Sequence, residues 1–447
     1  MSLLVGMALV LGLMIMIHEW GHFIVARLFK VRVDVFSIGF GPRLFGWKSG
    51  QTDYRVSAIP LGGYVRMAGQ DLSEVDSNDV APTGAPDELM SKPRWQRALI
   101  SFAGPAVNLV FPILLLTGYI TTVGIPYPAY EDKPVEVVGF VGKQDAAAGP
   151  VHVGDKVVSI NGIVNPTWSV AERVIRQTGP GGTLKLEVEG ADGRRSVELP
   201  VKSALLPDTT VPGLGYLPTR PIIDFIEPGS PADRAGLKDG DTVTAINGQK
   251  IQYWAQFVEN VRGSDGKPVA LDVDRNGRSV HLEIVPQQIS TETGEKIYQI
   301  GVLPYLETAY RRVTFGETVR YSAQVTLDKI EDTIGIVGKL FSGRVSVKQL
   351  QSVVGISRAA GQAVRKGPLA VISMMVLISV NLGILNLLPI PILDGGNILL
   401  LTLEGIRRRD FSLAFKERFV QVGLVFLLVL FAYVMYNDVM RMLPSHS

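Results

Sequence analysis

Apolar residues in this chain fall into two regimes. In four stretches, residues 3–25, 98–123, 369–388 and 420–436, they run almost unbroken. Each is long enough, or nearly so, to cross about 30 Å of hydrocarbon as a helix of roughly 20 residues. Between residues 124 and 366 the runs shorten, alternate and are punctuated by turn dipeptides, the pattern of a folded segment in water. Over residues 54–67 the stretch YRVSAIPLGGYVRM alternates as a strand, breaks at Pro60, Gly62 and Gly63, and resumes as a strand. Ile330, Ile334, Val337 and Phe341 recur at helical spacing, while Asp328, Lys329, Glu331 and Asp332 point elsewhere. That amphipathic helix would lie either on the membrane surface or against the neighbouring folded segment.

The segment between the second and third spans holds a duplication. VHVGDKVVSINGIVNPTW, residues 151–168, aligns with LKDGDTVTAINGQKIQYW, residues 237–254, at one constant offset of 86 residues. This period is too long for a solenoid and fits two copies of a small domain. Each copy reads as a Gly-Asp turn, a strand, an Asn-Gly turn and the start of a helix. GSPADRAGLKDGDTVTAINGQKI, residues 229–251, resembles the PDZ domains of bacterial proteases. PDZ domains bind extended peptides by adding a strand to a sheet edge; two small α/β domains without peptide affinity are the plainer alternative.

The first span has no basic segment before it and no small-x-small cleavage site after it, so it is read as a retained helix rather than a signal peptide. Basic residues orient the spans. Arg27, Lys30, Arg32, Arg43, Lys48, Arg55 and Arg66 follow the first, Lys92, Arg94 and Arg97 precede the second, and Arg407, Arg408, Arg409, Lys416 and Arg418 separate the last two. Those connections should be cytoplasmic, placing the duplicated segment on the other side. The formal net charge of +2 and the absence of any nucleic-acid motif argue against a polyanionic partner. With no cysteine among the 447 residues, a metal would have to be held by His, Asp or Glu.

The chemistry sits inside the apolar runs. HEWGH, residues 18–22, interrupts the first span. Residues four apart share one helical face, so His18 and His22 can offer two imidazoles to one metal, with Glu19 beside it as a base holding a water. H-E-x-x-H is the signature of zinc hydrolases. On the pentapeptide alone, a structural hydrogen-bonding role or a proton relay remains open. NLGILNLLPIPILDGGN, residues 381–397, closes the third span with Pro389 and Pro391, which cannot continue a helix, and with Asp394 just past the break. An aspartate there is a functional candidate, although capping the following helix is an alternative or additional role.

HExxH in the first span with NLLPIPILDGG in the third resembles the site-2 protease family of intramembrane zinc metalloproteases. The repeat between the second and third spans narrows the resemblance to its bacterial branch of sigma-factor regulator proteases with two PDZ domains. The resemblance covers almost the whole chain. It implies a polytopic α-helical membrane protein with four transmembrane helices, a membrane re-entrant β-hairpin and two α/β PDZ domains inserted between helices 2 and 3. The division would be helix 1 at 1–26, a cytoplasmic and re-entrant segment at 27–97, helix 2 at 98–123, PDZ domains at 130–205 and 215–306, an amphipathic helix and linker at 313–366, a broken helix 3 at 369–405 and helix 4 at 419–436.

The resemblance further implies Zn2+ held by His18, His22 and Asp394, with Glu19 catalytic. Asn381, Asn386, Pro389, Pro391, Gly62 and Gly63 would position substrate. AGPAVNLVF, residues 103–111, matches a Gly-Pro-x-x-Asn pattern that would bring Gly104 and Asn108 behind the active helix, with ordinary small-residue helix packing as the alternative. Members of this branch often read Leu-Asp-Gly-Gly-His, and here Asn397 stands at the last position, leaving open what contact it makes behind the ligands. The implied partners are the lipid bilayer, a transmembrane substrate such as an anti-sigma factor or a remnant signal peptide, and a site-1-type protease that cuts first. The implied location is the bacterial inner membrane, with the active site toward the cytoplasm and the PDZ domains outside. A catalytically inactive PDZ scaffold and a His/Glu ion or proton pathway are the competing readings; the first predicts loss of His18, Glu19, His22 or Asp394, and the second predicts more ionisable groups on facing spans.

Overall fold

A computed structural model describes residues 8–70, 83–139, 151–201, 211, 214, 218–290, 296–342 and 353–442. The start of the expected first span, parts of both repeat copies and residues 343–352 of the expected linker lie outside the described residues. The chain divides into two compact units, one formed by 1–125 with 312–447 and the other by 126–311.

In chain order, a π-helical turn at Ala8–Gly12 leads into helix α1 (Leu13–Leu28). Strands β1 (Val33–Ser49) and β2 (Thr52–Met67) precede helix α2 (Arg94–Val123). Within 126–311, β3 (Lys156–Ile160), β4 (Ile163–Val164), helix α3 (Trp168–Thr178), β5 (Thr183–Gly190) and β6 (Gly193–Pro200) build the first repeat copy. The second copy comprises β7 (Ile223–Ile226), β8 (Thr242–Ile246), β9 (Gln249–Lys250), helix α4 (Trp254–Arg262), β10 (Val269–Arg275), β11 (Arg278–Ile284) and β12 (Val302–Pro304). Helices α5 (Phe315–Phe341), α6 (Val353–Lys366), α7 (Pro368–Asn386), α8 (Asp394–Arg407) and α9 (Leu413–Met442) follow.

Among the described residues four helical segments are long and apolar enough to cross a membrane: Val10–Leu28, Arg94–Val123, Pro368–Asn386 and Ala414–Tyr436. Three of them meet through small residues. A Cβ added at Gly21 would stand 2.5 Å from the Ala103 carbonyl oxygen, and one at Gly383 would stand 3.1 Å from that of Pro105. Close backbone approach of this kind is how helices associate where lipid removes the hydrophobic drive.

Three local readings need correction. The stretch around 54–67 is not an isolated hairpin. Residues of β1 from Val35 to Ile38 are registered with Asp53–Val56 on one side and with Gly63–Arg66 on the other. The first half of β1 therefore lies between the two arms of β2, and its second half (Arg43 to Ser49) pairs with the start of β2. Hydrophobic alternation reports which face a residue takes, not which strand lies beside it. Second, the expected linker after residue 341 includes helix α6, on which Ala360 and Ala363 are buried.

Third, α5 packs within the helical unit beside Leu116, Ile120 and Val376, through Tyr321 and Val325. Its buried face carries Thr318, Ser322, Thr326 and Thr333, while Ile334 is exposed. The hydroxyls of Thr318, Ser322 and Thr326 donate to the carbonyls of Thr314, Ser322's own partner Thr318, and Ser322 respectively. Satisfied one turn back, these short side chains behave as small apolar ones and let the helix come close.

The two repeat copies share a charge pair beside the Gly-Asp turn. Asp241 is 1% exposed and takes Arg275 Nε at 2.8 Å and Nη2 at 2.7 Å, together with the Lys238 N–H at 2.9 Å. Asp155 and Arg195 form the corresponding pair in the first copy. Removing one partner of a buried pair leaves the other uncompensated. Asp241→Ala should destabilise the 126–311 unit by about 3 kcal/mol, the low end for such pairs because Arg275 keeps part of its guanidinium in water. The measurement is thermal unfolding of the full chain with limited proteolysis of that unit; Asp272→Ala, at the exposed His281 pair, should change far less.

Candidate metal centre

Helix α1 is regular through residues 18–22, so His18 and His22 lie on one face and meet edge to face with ring centroids 4.8 Å apart. Both are buried, and their Nε2 atoms lie 3.2 Å apart. Asp394 Oδ2 lies 3.1 Å from His18 Nε2 and 3.5 Å from His22 Nε2. Ligand atoms about 2.1 Å from a tetrahedral zinc stand about 3.4 Å from one another, so these three separations are edges of such a tetrahedron. Among the described residues these three side chains form a group able to hold one metal ion.

The far ring nitrogens agree with that use. His22 Nδ1 is 2.7 Å from the Ile100 carbonyl, which only accepts; the ring must donate there, leaving the Nε2 lone pair free when neutral. Asn108, fully buried on α2, faces His18 Nδ1 at 3.2 Å with its amide nitrogen, while its Oδ1 has no partner. Amide nitrogen and oxygen are assigned from the bonding network. Turning the amide over lets Oδ1 accept from His18 Nδ1–H, which removes the orphaned oxygen and frees the second Nε2 lone pair. The donor set therefore fits zinc, with the outward hydrogen bonds that orient ligating histidines.

Asp394 reaches the histidines because the chain breaks between α7 and α8. Leu393 occupies the cap position of α8 and makes no side-chain cap, so the Asp394 carboxylate serves the histidines instead of capping. Ile392 takes φ +77°, an uncommon conformation for a β-branched residue. Cβ atoms at Gly395 and Gly396 would stand 2.3 Å from the Leu387 and Leu388 carbonyls and 2.2 Å from that of Ile390. The two glycines thus let α8 start directly beneath the break. A Cβ at Gly423 on α9 would stand 2.4 Å from the Pro391 carbonyl, so α9 supports the break from another side.

Other predicted positions distribute as follows. Asn386 Nδ2 is 3.4 Å from His18 Nε2. Gly104 faces the histidines, and a Cβ there would be 2.3 Å from His22 Nε2. A Cβ at Gly63 would be 3.8 Å from Glu19 Cγ, which sets the Gly62–Gly63 turn beside the glutamate. Asn381 lies farther along α7, where its Oδ1 accepts from Thr333 of α5 at 2.9 Å. Asn397 follows on the first turn of α8 and is not among the side chains bonded to His18, His22 or Asp394 in the described residues. Ile100, Thr333 and Gly423 were not singled out from sequence. Ile100 acts through its backbone and leaves no signal, whereas a glycine inside an apolar span, as at Gly423, is a legible sign of close packing.

Two imidazoles on a helix able to cross a membrane, faced by a carboxylate at the start of α8 at tetrahedral spacing, make the donor set of a metalloenzyme in a multi-pass membrane protein. Peptidase family M50 matches residues 6–430 of the chain. The regulator of sigma-E protease RseP of Escherichia coli (strain K12) is 33% identical over 97% of this chain and 97% of its own length. The protease RseP of Yersinia pestis is likewise 33% identical over 97% of each. A Neisseria meningitidis relative, named as a candidate zinc metalloprotease, is 31% identical over 96% of this chain and 97% of its own. The chain belongs to peptidase family M50 and is an intramembrane zinc metalloprotease.

Gly104→Ala should push His22 out of place. Zinc content of the purified protein should drop and peptide-bond cleavage should fall by about 100-fold, a loss typical of a displacement near 1 Å. Gly118→Ala, on the same helix in open space, should leave both unchanged.

Proposed function

We propose that His18, His22 and Asp394 hold the zinc ion and that Glu19 is the general base of an endopeptidase acting on transmembrane segments of single-pass membrane proteins. The observation that carries this reading is the convergence of the three ligand atoms from α1 and α8 at tetrahedral spacing. When bound, zinc supplies a Lewis acid that polarises the scissile carbonyl and acidifies a water. Glu19 takes the proton of the attacking water and returns it to the leaving amine. Asn108 and the Ile100 carbonyl hold the imidazoles in the ligating tautomer. Asn386, beside His18, bonds the substrate backbone close to the scissile bond, and Asn381, Pro389 and Pro391 shape the groove leading to it.

A transmembrane helix hides its peptide bonds in internal hydrogen bonds, so the cleaved segment must be drawn out. The last stretch of β2 (Gly63 to Met67) pairs with β1 on one edge, and among the described residues no strand covers its other edge. That edge, next to Glu19, holds the unwound segment as an added strand. The sheet dips into the membrane from the cytoplasmic side, with its basic residues facing that compartment.

The repeat copies act as two PDZ domains on the extracytoplasmic side. In the second, β12 pairs antiparallel with β7, and just before it the Ile300 and Gly301 carbonyls accept the Ala232 and Glu227 N–H groups, which fixes this strand pair beside the short helix at Pro231–Arg234. They admit substrates already shortened by a site-1-type protease. The relatives named for sigma-E regulation point to a membrane-tethered anti-sigma factor in a bacterial inner membrane, with remnant signal peptides as a second substrate group.

Glu19→Gln tests the reading. Purified protein should keep its zinc while losing cleavage of a model transmembrane peptide by at least about 100-fold. His18→Ala and Asp394→Ala should lose the zinc itself. Undiminished cleavage by Glu19→Gln would remove Glu19 from the mechanism.

A further inference from the structure

The proposed chemistry gives no task to a carboxylate buried in the helical unit. Glu404, on α8, has no exposed surface. Its Oε1 accepts the Phe411 N–H at 2.9 Å and lies 3.3 Å from Lys416 Nζ. Its Oε2 faces guanidinium nitrogens of Arg94 and Arg97 at 4.0 Å each. Arg94 in turn grips Asp410 Oδ1, with Nε at 2.9 Å and Nη2 at 2.8 Å. One carboxylate thus ties the first turn of α2, the end of α8, the turn after it and the start of α9.

We propose that Glu404 is a positioning residue for the metal centre, fixing the axial register of α8 against α2 and hence the height at which Asp394 meets His18 and His22. This rests on the reading of those three residues as zinc ligands. Asp394 and Glu404 lie ten residues apart on α8, about 15 Å along the axis. Arg97 and Asn108 lie eleven apart on α2, about 16 Å. The two helices are therefore joined at two matched levels. At one, Gly104 and Asn108 of α2 back the histidines that face Asp394. At the other, Arg94 and Arg97 of α2 surround Glu404.

Apolar packing between lipid-exposed helices resists sliding weakly, since lipid replaces the lost contacts. A buried carboxylate among three cations resists it strongly, because each displacement strands charge away from water. A slide by one residue is about 1.5 Å, far beyond the roughly 0.2 Å tolerance of metal–ligand distances. Apolar side chains of similar volume would hold the helices together as well; what the charges add is a single register.

The test uses the full-length protein in lipid nanodiscs and two readouts: zinc affinity by chelator competition, and the thermal midpoint of the zinc-free protein. Glu404→Gln strands Lys416, so Glu404→Gln with Lys416→Met is the companion variant that removes both charges. Zinc affinity should fall about tenfold or more in both. The zinc-free midpoint of the double variant should stay close to that of the unsubstituted protein, and Glu404→Asp should recover part of the affinity. Unchanged affinity in the double variant, or affinity losses that merely track losses in the zinc-free midpoint, would overturn the proposal. Zinc binding that survives His18→Ala and Asp394→Ala would instead overturn the ligand reading, and the proposal with it.

Discussion

A polar atom among apolar helices has no water to turn to, so it must be satisfied by the protein itself. Around the candidate metal centre this requirement assembles the fold. His22 Nδ1 needs the Ile100 carbonyl, which ties α1 to α2. His18 Nδ1 needs Asn108, a second tie between the same helices. The backbone carbonyl of Asn108 in turn accepts the Ser379 hydroxyl at 2.8 Å, which brings in α7. The imidazole nitrogens that remain face Asp394, which brings in α8. The hydrogen bonds that orient the two histidines toward Asp394 are thus the same ones that hold four helices in a fixed arrangement.

Those bonds reach only about 3 Å, whereas helix axes usually pack 8–10 Å apart. Small residues close the gap where it matters. Gly21 lies against Ala103, and Gly104 lies under both imidazoles. At the break, Gly395 and Gly396 tuck α8 beneath the turn, and Gly423 admits Pro391. Ile392 shows the cost of this compactness, since a β-branched side chain at φ +77° is worth about 1–3 kcal/mol of strain. Such strain persists where the surroundings over-determine the conformation, and here prolines, glycines and a neighbouring helix all press on the same seven-residue turn.

What the sequence made legible was side-chain chemistry at fixed spacing. HEWGH announces two imidazoles on one face, and a proline-broken span followed by Asp-Gly-Gly announces a carboxylate at a helix start. Gly104 and Asn108 could be named because a small residue and a buried amide in an apolar span each need a reason. What stayed hidden depends on neighbours rather than on period. Ile100 contributes only a carbonyl. The interposition of β1 between the arms of β2 leaves the alternation of both strands unchanged. On α5 the apolar pattern finds Ile330 and Val337, which are half-buried, but not Thr318, Ser322 and Thr326, which count as polar although their hydroxyls are spent on their own helix.

The two units manage charge in opposite ways, and this bears on how one chain builds both. In 126–311 each buried aspartate is paired within its own repeat copy, Asp155 with Arg195 and Asp241 with Arg275. In the helical unit Arg94 pairs with Asp410 across 316 residues, and Asn386 meets His18 across 368. The buried aspartates of the first unit find their partners within one copy; the ties of the second wait for the last helices. A long insertion between two halves of a membrane-embedded site is tolerable only if its own ends come together. Here they do: the strands at Ile125–Pro128 and Thr308–Arg311 pair, and Arg311 stacks 4.7 Å from the centre of the Tyr127 ring. Closing the inserted unit on itself leaves α2 and the later helices free to meet, so residues from the two ends of the chain converge in the candidate metal centre.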